Sequence, residues 1–146
     1  MKLIVCLDDK NGMLFNNRRQ SRDAIVIKDI EEMTADKDLY IREYSKILFQ
    51  NNHYKLINSI SEIPNNNDCY YFNETEKVSD YKNIIDTIII YRWNRVYPKG
   101  TEFDIPLKSY SLLETKDFKG NSHEKITREI YVQWKIKSQL FSPQFF

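Results

Sequence analysis

The stretch LIVCLDDKNGMLFNN, Leu3 to Asn17, decides how this chain folds. From Leu3 to Leu7 every residue is apolar, with β-branched Ile4 and Val5 in the middle. A run that is apolar at every position, instead of at alternate ones, predicts a strand covered on both faces in the interior of a sheet. Asp8, Asp9, Lys10, Asn11 and Gly12 end it with turn chemistry. A basic cluster follows (Arg18, Arg19, Arg22), and Val26, Ile30 and Met33 then recur at helical spacing. Ser21 is the expected N-cap, and Asp23 stands favourably at the positive end of the helix dipole. The opening reads as strand, long loop, helix.

The pattern repeats in shorter form. Leu39 to Ile41 predicts a short strand and Tyr44, Ile47 and Leu48 a helical face. Lys55 to Asn58 predicts another strand, and Ser59 with Glu62 three residues on is a capping-box signature for a short helix stopped by Pro64 and the Asn run. Cys69 to Phe72 is a further apolar strand. Val78, Tyr81 and Ile85 suggest a helical turn or two, and TIIIYRW, Thr87 to Trp93, is the strongest strand signal in the chain. Strands alternating with helices argue for an α/β domain with a mostly parallel sheet flanked by helices. Two late strands are expected at Ser109 to Glu114 and Ile126 to Trp134. The second alternates apolar and polar residues, although Asn121 with Glu124 would equally cap a helix there.

Composition bounds the functions open to such a domain. With 146 residues, 41% of them hydrophobic and no shift in composition along the chain, residues 1–146 are expected to form one domain. The 22 basic and 21 acidic side chains leave a net charge of +1, so no global field draws the protein to nucleic acid or membrane. Cys6 and Cys69 sit in apolar stretches and read as reduced core thiols. Without a signal-like or long apolar segment the expectation is a soluble, cytoplasmic protein. Gly occurs only at Gly12, Gly100 and Gly120, far below the roughly 7% average, which disfavours a backbone that approaches a pyrophosphate closely.

The residues of the opening, with the matches that follow in order, resemble dihydrofolate reductase. In that family the first strand leads through an Asp, a turn and a Gly-hydrophobic step into a loop over the active site. LYIREYSKILF is similar to the strand and helix carrying the family's Gly-Arg-x-Thr cofactor motif, and CYYFNE to the strand that ends in its Gly-Gly pair. IIDTIIIYRWNRVYP resembles a later strand with its loop, and YSLLETKDF the penultimate strand. The resemblance implies a dihydrofolate reductase-like fold. Its departures fall on the chemistry. Ile41, Arg42, Glu43, Tyr44 and Ser45 stand where the Gly-Arg-x-Thr signature belongs, and Asn73 and Glu74 where the Gly-Gly pair admits the pyrophosphate. Ala24 or Val26 falls near the register of the substrate-binding carboxylate, with Asp23 slightly before it. Neither NADPH nor folate is therefore an expected ligand, and no cofactor is expected.

Two basic groups remain as candidates. Arg18, Arg19 and Arg22 gather charge beside a helix start, a combination suited to phosphate or an acidic partner, or else simply a solvated loop with rim ion pairs. In YRWNRVY, Arg92 and Arg95 interleave with Trp93 and Tyr97, as on surfaces that stack bases or anchor partners, although a Trp at a strand end is more often core. If both lie at the carboxyl edge of the sheet, Arg18, Arg19, Asp23, Arg92 and Arg95 line one cleft. His53 and His123 are the only histidines, and Cys6, His53, Cys69 and His123 lack metal-ligand spacing, so no metal is expected.

The sequence therefore reads as a non-catalytic accessory protein, a pseudoenzyme binding an anionic small molecule or an acidic protein partner through Arg18, Arg19, Arg22, Asp23, Arg92 and Arg95. The alternative is an enzyme acting on a nucleotide or RNA phosphodiester, with arginines holding phosphate and His123 or Asp23 carrying a proton.

Overall fold

The structure is a computed structural model and describes residues 1–133. Strand β1 (Lys2–Leu7) lies in the interior of the sheet, with Leu3, Ile4, Val5 and Leu7 fully buried, as an uninterrupted apolar run requires. The Asp8 carboxylate then closes the turn by accepting the N–H groups of Lys10 (2.9 Å) and Gly12 (2.8 Å).

The expected long loop is in part a hairpin. β2 (Gly12–Phe15) and β3 (Arg18–Arg19) pair antiparallel through a two-residue loop in which Asn16 and Asn17 both have positive φ, 49° and 57°. That is the backbone twist tight hairpins need, and Asn tolerates it well. Helix α1 (Ala24–Met33) follows. Its N-cap is Asp23, whose carboxylate accepts the Ile25 N–H at 2.9 Å, and not Ser21, which stands two residues further out with its hydroxyl engaged elsewhere.

β4 (Asp38–Ile41) leads into a 3₁₀ segment, Glu43–Leu48, where a helical face of Tyr44, Ile47 and Leu48 was expected. Three residues per turn bring Leu48 inward, as expected, together with Ser45, while Tyr44 and Ile47 are exposed. β5 (Lys55–Leu56) is shorter than the predicted strand. The Ser59–Glu62 capping box is formed around a 3₁₀ turn, Ile60–Glu62. After β6 (Cys69–Phe72) comes one 3₁₀ turn, Ser79–Tyr81, then β7 (Thr87–Arg92), the short β8 (Thr101–Glu102), a last 3₁₀ turn at Leu107–Ser109, and the long strands β9 (Tyr110–Phe118) and β10 (Ile126–Gln133). Trp134, expected to end the last strand, lies outside the described residues. Among the described residues α1 is the only α-helix, and the other helical segments that flank the sheet are short 3₁₀ segments.

The main sheet has seven strands in the order β5-β4-β6-β1-β7-β10-β9, parallel from β5 through β7, with β10 antiparallel to both its neighbours. A small second sheet, β3-β2-β8, lies at the end of β1. Strand alternation divides the core. Leu3, Val5, Leu7, Ile88 and Ile90 pack on one face, and Ile4, Ile89, Tyr91 and Trp93 pack with Val26 and Ile30 of α1 on the other. Each such fully buried side chain contributes about 1.5–3 kcal/mol. Cys6 and Cys69 are unpaired; Cys69 is buried, but Cys6, expected in the core, is only half-buried because it faces the cleft beside α1. No helix among the described residues is long and apolar enough to cross a membrane.

Candidate functional site at the carboxyl edge of the sheet

The carboxyl ends of β1, β6 and β7 meet the start of α1, and strand alternation chooses which side chains face the opening. At the end of β7 Trp93 turns toward α1, so Arg92 points to the opposite face, where it donates to the Asp8 carbonyl (3.1 Å) and the Asn11 side chain and pairs with Glu129 (2.7 Å). Arg95 is exposed in the loop beyond. The hairpin makes a similar choice: Arg18 is exposed, and Arg19 turns inward. The structure thus brings Arg19, Arg22 and Asp23 to one cleft and leaves Arg18, Arg92 and Arg95 outside its lining.

Arg19 is already occupied. Its Nε and Nη2 donate to the two oxygens of Glu74 (2.5 and 2.7 Å), its guanidinium lies 4.6 Å from the centre of the Tyr44 ring, and Glu74 also accepts the Ser45 hydroxyl at 2.7 Å. This cluster fills the place of the two cofactor-binding turns of the resemblance. Neither acidic residue at the two expected motif positions leaves unbalanced charge there: Glu74 is neutralised by Arg19, and Glu43 is a well-exposed side chain 3.9 Å from Lys46. Asn73, buried, spends its amide on the turn after β6, donating to the Glu76 carbonyl (2.8 Å) and accepting the Glu76 N–H (2.9 Å).

The N-terminus of α1 holds a second cluster. The loop Lys119–Lys125 folds against it, and the buried Asp23 carboxylate accepts the N–H groups of Asn121 and Ser122 (both 2.8 Å) in addition to that of Ile25. Gly120 makes the approach possible, since a Cβ there would stand 2.5 Å from Asp23 Oδ2. His123 is thereby carried into the site: its Nδ1 lies 2.9 Å from Asp23 Oδ2, its Nε2 2.9 Å from Ser21 Oγ, and its ring stacks on Trp93 with centroids 4.8 Å apart. Burial opposes the charge on Asp23, but the bonds from Asn121, His123, Ser122 and Ile25 outweigh it and hold the carboxyl well below the ordinary range. An ionised Asp23 only accepts, so His123 Nδ1 carries a proton; in the neutral imidazole Nε2 is then the acceptor for the Ser21 O–H.

A narrow pocket of about 20 Å³, room for one water-sized group, is lined by Cys6, Arg19, Gln20, Ser21 and Trp93 among others. It shares Arg22, Asp23, Ile27 and Leu48 with a wider cleft of about 510 Å³ that continues along α1 past Lys28 and Glu31. His53 is elsewhere. Its Nε2 contacts the Thr34 and Lys37 carbonyls (both 3.1 Å) at the far end of α1, so the two histidines are separated by the length of a ten-residue helix, about 15 Å. The sequence singled out Asp23 and His123 but not Ser21 as their partner, nor Gly120. The one available signal was the scarcity of glycine: a residue used three times in 146 sits at Gly120, three positions before His123.

No protein-family model and no curated protein matches this sequence. The likeness lies in structure. A solved dihydrofolate reductase from Enterococcus faecalis, complexed with NADP(H) and RAB-propyl, matches with a TM-score of 0.68 over 91% of this chain and 95% of that one, at 10% sequence identity. The chain has a dihydrofolate reductase-like α/β fold, strongly diverged in sequence.

Proposed function

We propose that this protein is a binding or accessory protein, not a nicotinamide-dependent reductase, and that it holds a small anionic molecule in the cleft along the first turns of α1. One observation carries the reading: Arg22 and Lys28 both line the cleft of about 510 Å³, and neither forms a salt bridge among the described residues. Two free cations at a concave site suit a carboxylate or phosphate. Glu31 lines the same cleft with one carboxylate oxygen buried and without a hydrogen-bond partner, so a ligand that also carries an N–H or O–H group fits best. The reading narrows the cluster expected from sequence to Arg22, with Asp23 spent on the helix and loop and Arg19 spent on Glu74. Against NADPH stand the bulk of Asn73, Glu74 and Tyr44 where small residues would leave backbone N–H groups open to a pyrophosphate.

A thermal-shift series with phosphate, nucleoside monophosphates, dicarboxylates and NADPH tests this. A ligand at 100 times its dissociation constant stabilises by about 2.7 kcal/mol. An anion should raise the melting temperature of the natural chain and not of Arg22→Ala or Lys28→Ala, and NADPH should leave it unchanged. Micromolar NADPH binding, or an anion effect indifferent to both substitutions, overturns the proposal.

The second reading, an enzyme acting on a phosphodiester with arginines holding phosphate and His123 or Asp23 carrying a proton, has little to hold the phosphate, since Arg19 is paired with Glu74 and Arg92 with Glu129, and His53 lies too far off to serve as a second proton carrier. What favours catalysis is a different feature, the hydrogen-bonded chain that ends on Ser21.

A further inference from the structure

Three side chains that the binding reading leaves unused stand in a chemically ordered row. Ser21 Oγ lies 2.9 Å from His123 Nε2, and His123 Nδ1 lies 2.9 Å from Asp23 Oδ2. Asp23 is fixed by the three backbone N–H groups of Ile25, Asn121 and Ser122, and Trp93 stacked on the imidazole fixes the plane of the ring. Ser21 is half-buried and lines the narrow pocket, whose volume suits a single carbonyl oxygen, while the rest of a bound molecule has the wider cleft that begins at Arg22. Gln20 Oε1, in the same pocket, is buried without a hydrogen-bond partner and so marks a point that would accept from an N–H or O–H of a bound molecule or water.

We propose that Ser21 is a nucleophile for acyl transfer from a small anionic ester, with His123 as its base and Asp23 orienting the imidazole. Ser21 Oγ bonds to the ester carbonyl carbon as its proton passes to His123 Nε2. The tetrahedral adduct collapses, the bond from the carbonyl carbon to the leaving oxygen breaks, and His123 Nε2 returns the proton to that oxygen, releasing an alcohol. Water then adds to the acyl carbon by the same route, giving the carboxylic acid and restoring Ser21 O–H. Arg22, adjacent in sequence and lining both pocket and cleft, draws the negative end of the ester. This choice of substrate rests on the anion-binding reading above; the nucleophile does not.

The test treats the full chain at neutral pH with 4-nitrophenyl acetate and with mono(4-nitrophenyl) succinate, following nitrophenolate release and intact mass, and maps the modified peptide. The expected result is one acyl group per chain, on Ser21, with the succinyl ester reacting faster. Ser21→Ala should abolish acylation, Ser21→Cys should restore it at the same position, and His123→Asn should slow it by about 100-fold or more, the usual contribution of a general base. Mapping the natural chain, quenched in acid during the reaction, needs no variant to fold: if Ser21 carries no acyl group and nitrophenolate release is no faster than in Ser21→Ala, the nucleophile is overturned whatever the anion shifts show, and the three residues are a structural clamp. Acylation that proceeds equally in His123→Asn overturns it too. Equal rates for the two esters, unchanged in Arg22→Ala, leave the nucleophile standing and overturn the anionic substrate.

Discussion

Arg19 and Glu74, 55 residues apart in the chain, meet in a two-point ion pair with Nε–Oε2 at 2.5 Å and Nη2–Oε1 at 2.7 Å. Both side chains are largely buried, at 18% and 9% exposure, so neither is readily solvated if the other is removed. Glu74→Ala should therefore cost about 2 kcal/mol, toward the lower end for a buried pair because part of Arg19 reaches water. The double variant Arg19→Ala/Glu74→Ala should be less destabilised than the sum of the single ones, as urea unfolding of all four proteins would measure. Strict additivity would mean the two side chains contribute separately.

The neighbouring arginines should behave differently. Arg18 and Arg22 are exposed and make no ion pair among the described residues, so Arg18→Ala and Arg22→Ala should each change stability by less than about 0.5 kcal/mol. A loss in either comparable to that in Arg19→Ala would show that Arg18 or Arg22 is held by an ion pair as Arg19 is.

Asp23 gives stability a dependence on acid. Its carboxyl is depressed in the folded protein from the ordinary value of 3.8, so between the folded and unfolded values the unfolded chain binds more protons. The stabilisation is complete above the unfolded value and lost as pH falls below it, through the folded value. Asp104 acts in the same sense, with burial opposing its charge and the N–H groups of Val78 and Ser79 favouring it. Asp23→Asn should lower stability at pH 7 by about 2 kcal/mol, the scale of lost charge-assisted hydrogen bonds. It should also flatten the decline of stability between about pH 4 and pH 2. Parallel pH profiles for the two proteins would refute this.

Gly120→Ala puts a methyl group 2.5 Å from Asp23 Oδ2, a contact that no rotation of the new side chain relieves. The loop must move away, taking with it the Asn121 and Ser122 N–H groups and His123. A loss of about 1–3 kcal/mol is expected, together with loss of any Ser21 reactivity. An unperturbed melting temperature would mean the loop is not seated on Asp23 in solution.

The thiol of Cys6 is pushed above its ordinary range, first by burial and then by the charge of Glu74, with Arg19 opposing. Cys69 is fully buried. At pH 8 a disulfide-exchange reagent should react with neither cysteine in the folded protein and with both after denaturation. Rapid reaction at Cys6 in the native state would contradict the closed packing of the narrow pocket.

The sequence by itself determined the parallel sheet. Uninterrupted apolar runs at Leu3–Leu7, Cys69–Phe72 and Ile88–Tyr91 suit strands covered on both faces, and that is a local property of composition. It also determined the capping box at Ser59 and Glu62, because such bonds span three residues. Tertiary structure decided which charges meet. Side-chain direction alternates at every strand residue, so one position separates Trp93, facing α1, from Arg92, facing away, and the same alternation, in the register that the two-residue Asn turn sets, puts Arg19 in the cleft and Arg18 outside it. The row from Ser21 through His123 to Asp23 joins residues about 100 apart and exists only because Gly120 lets a late loop reach the N-terminus of α1. Periodicity along the chain carries no record of such a meeting, since it is fixed by the close approach of two backbones and not by the spacing of residues in either.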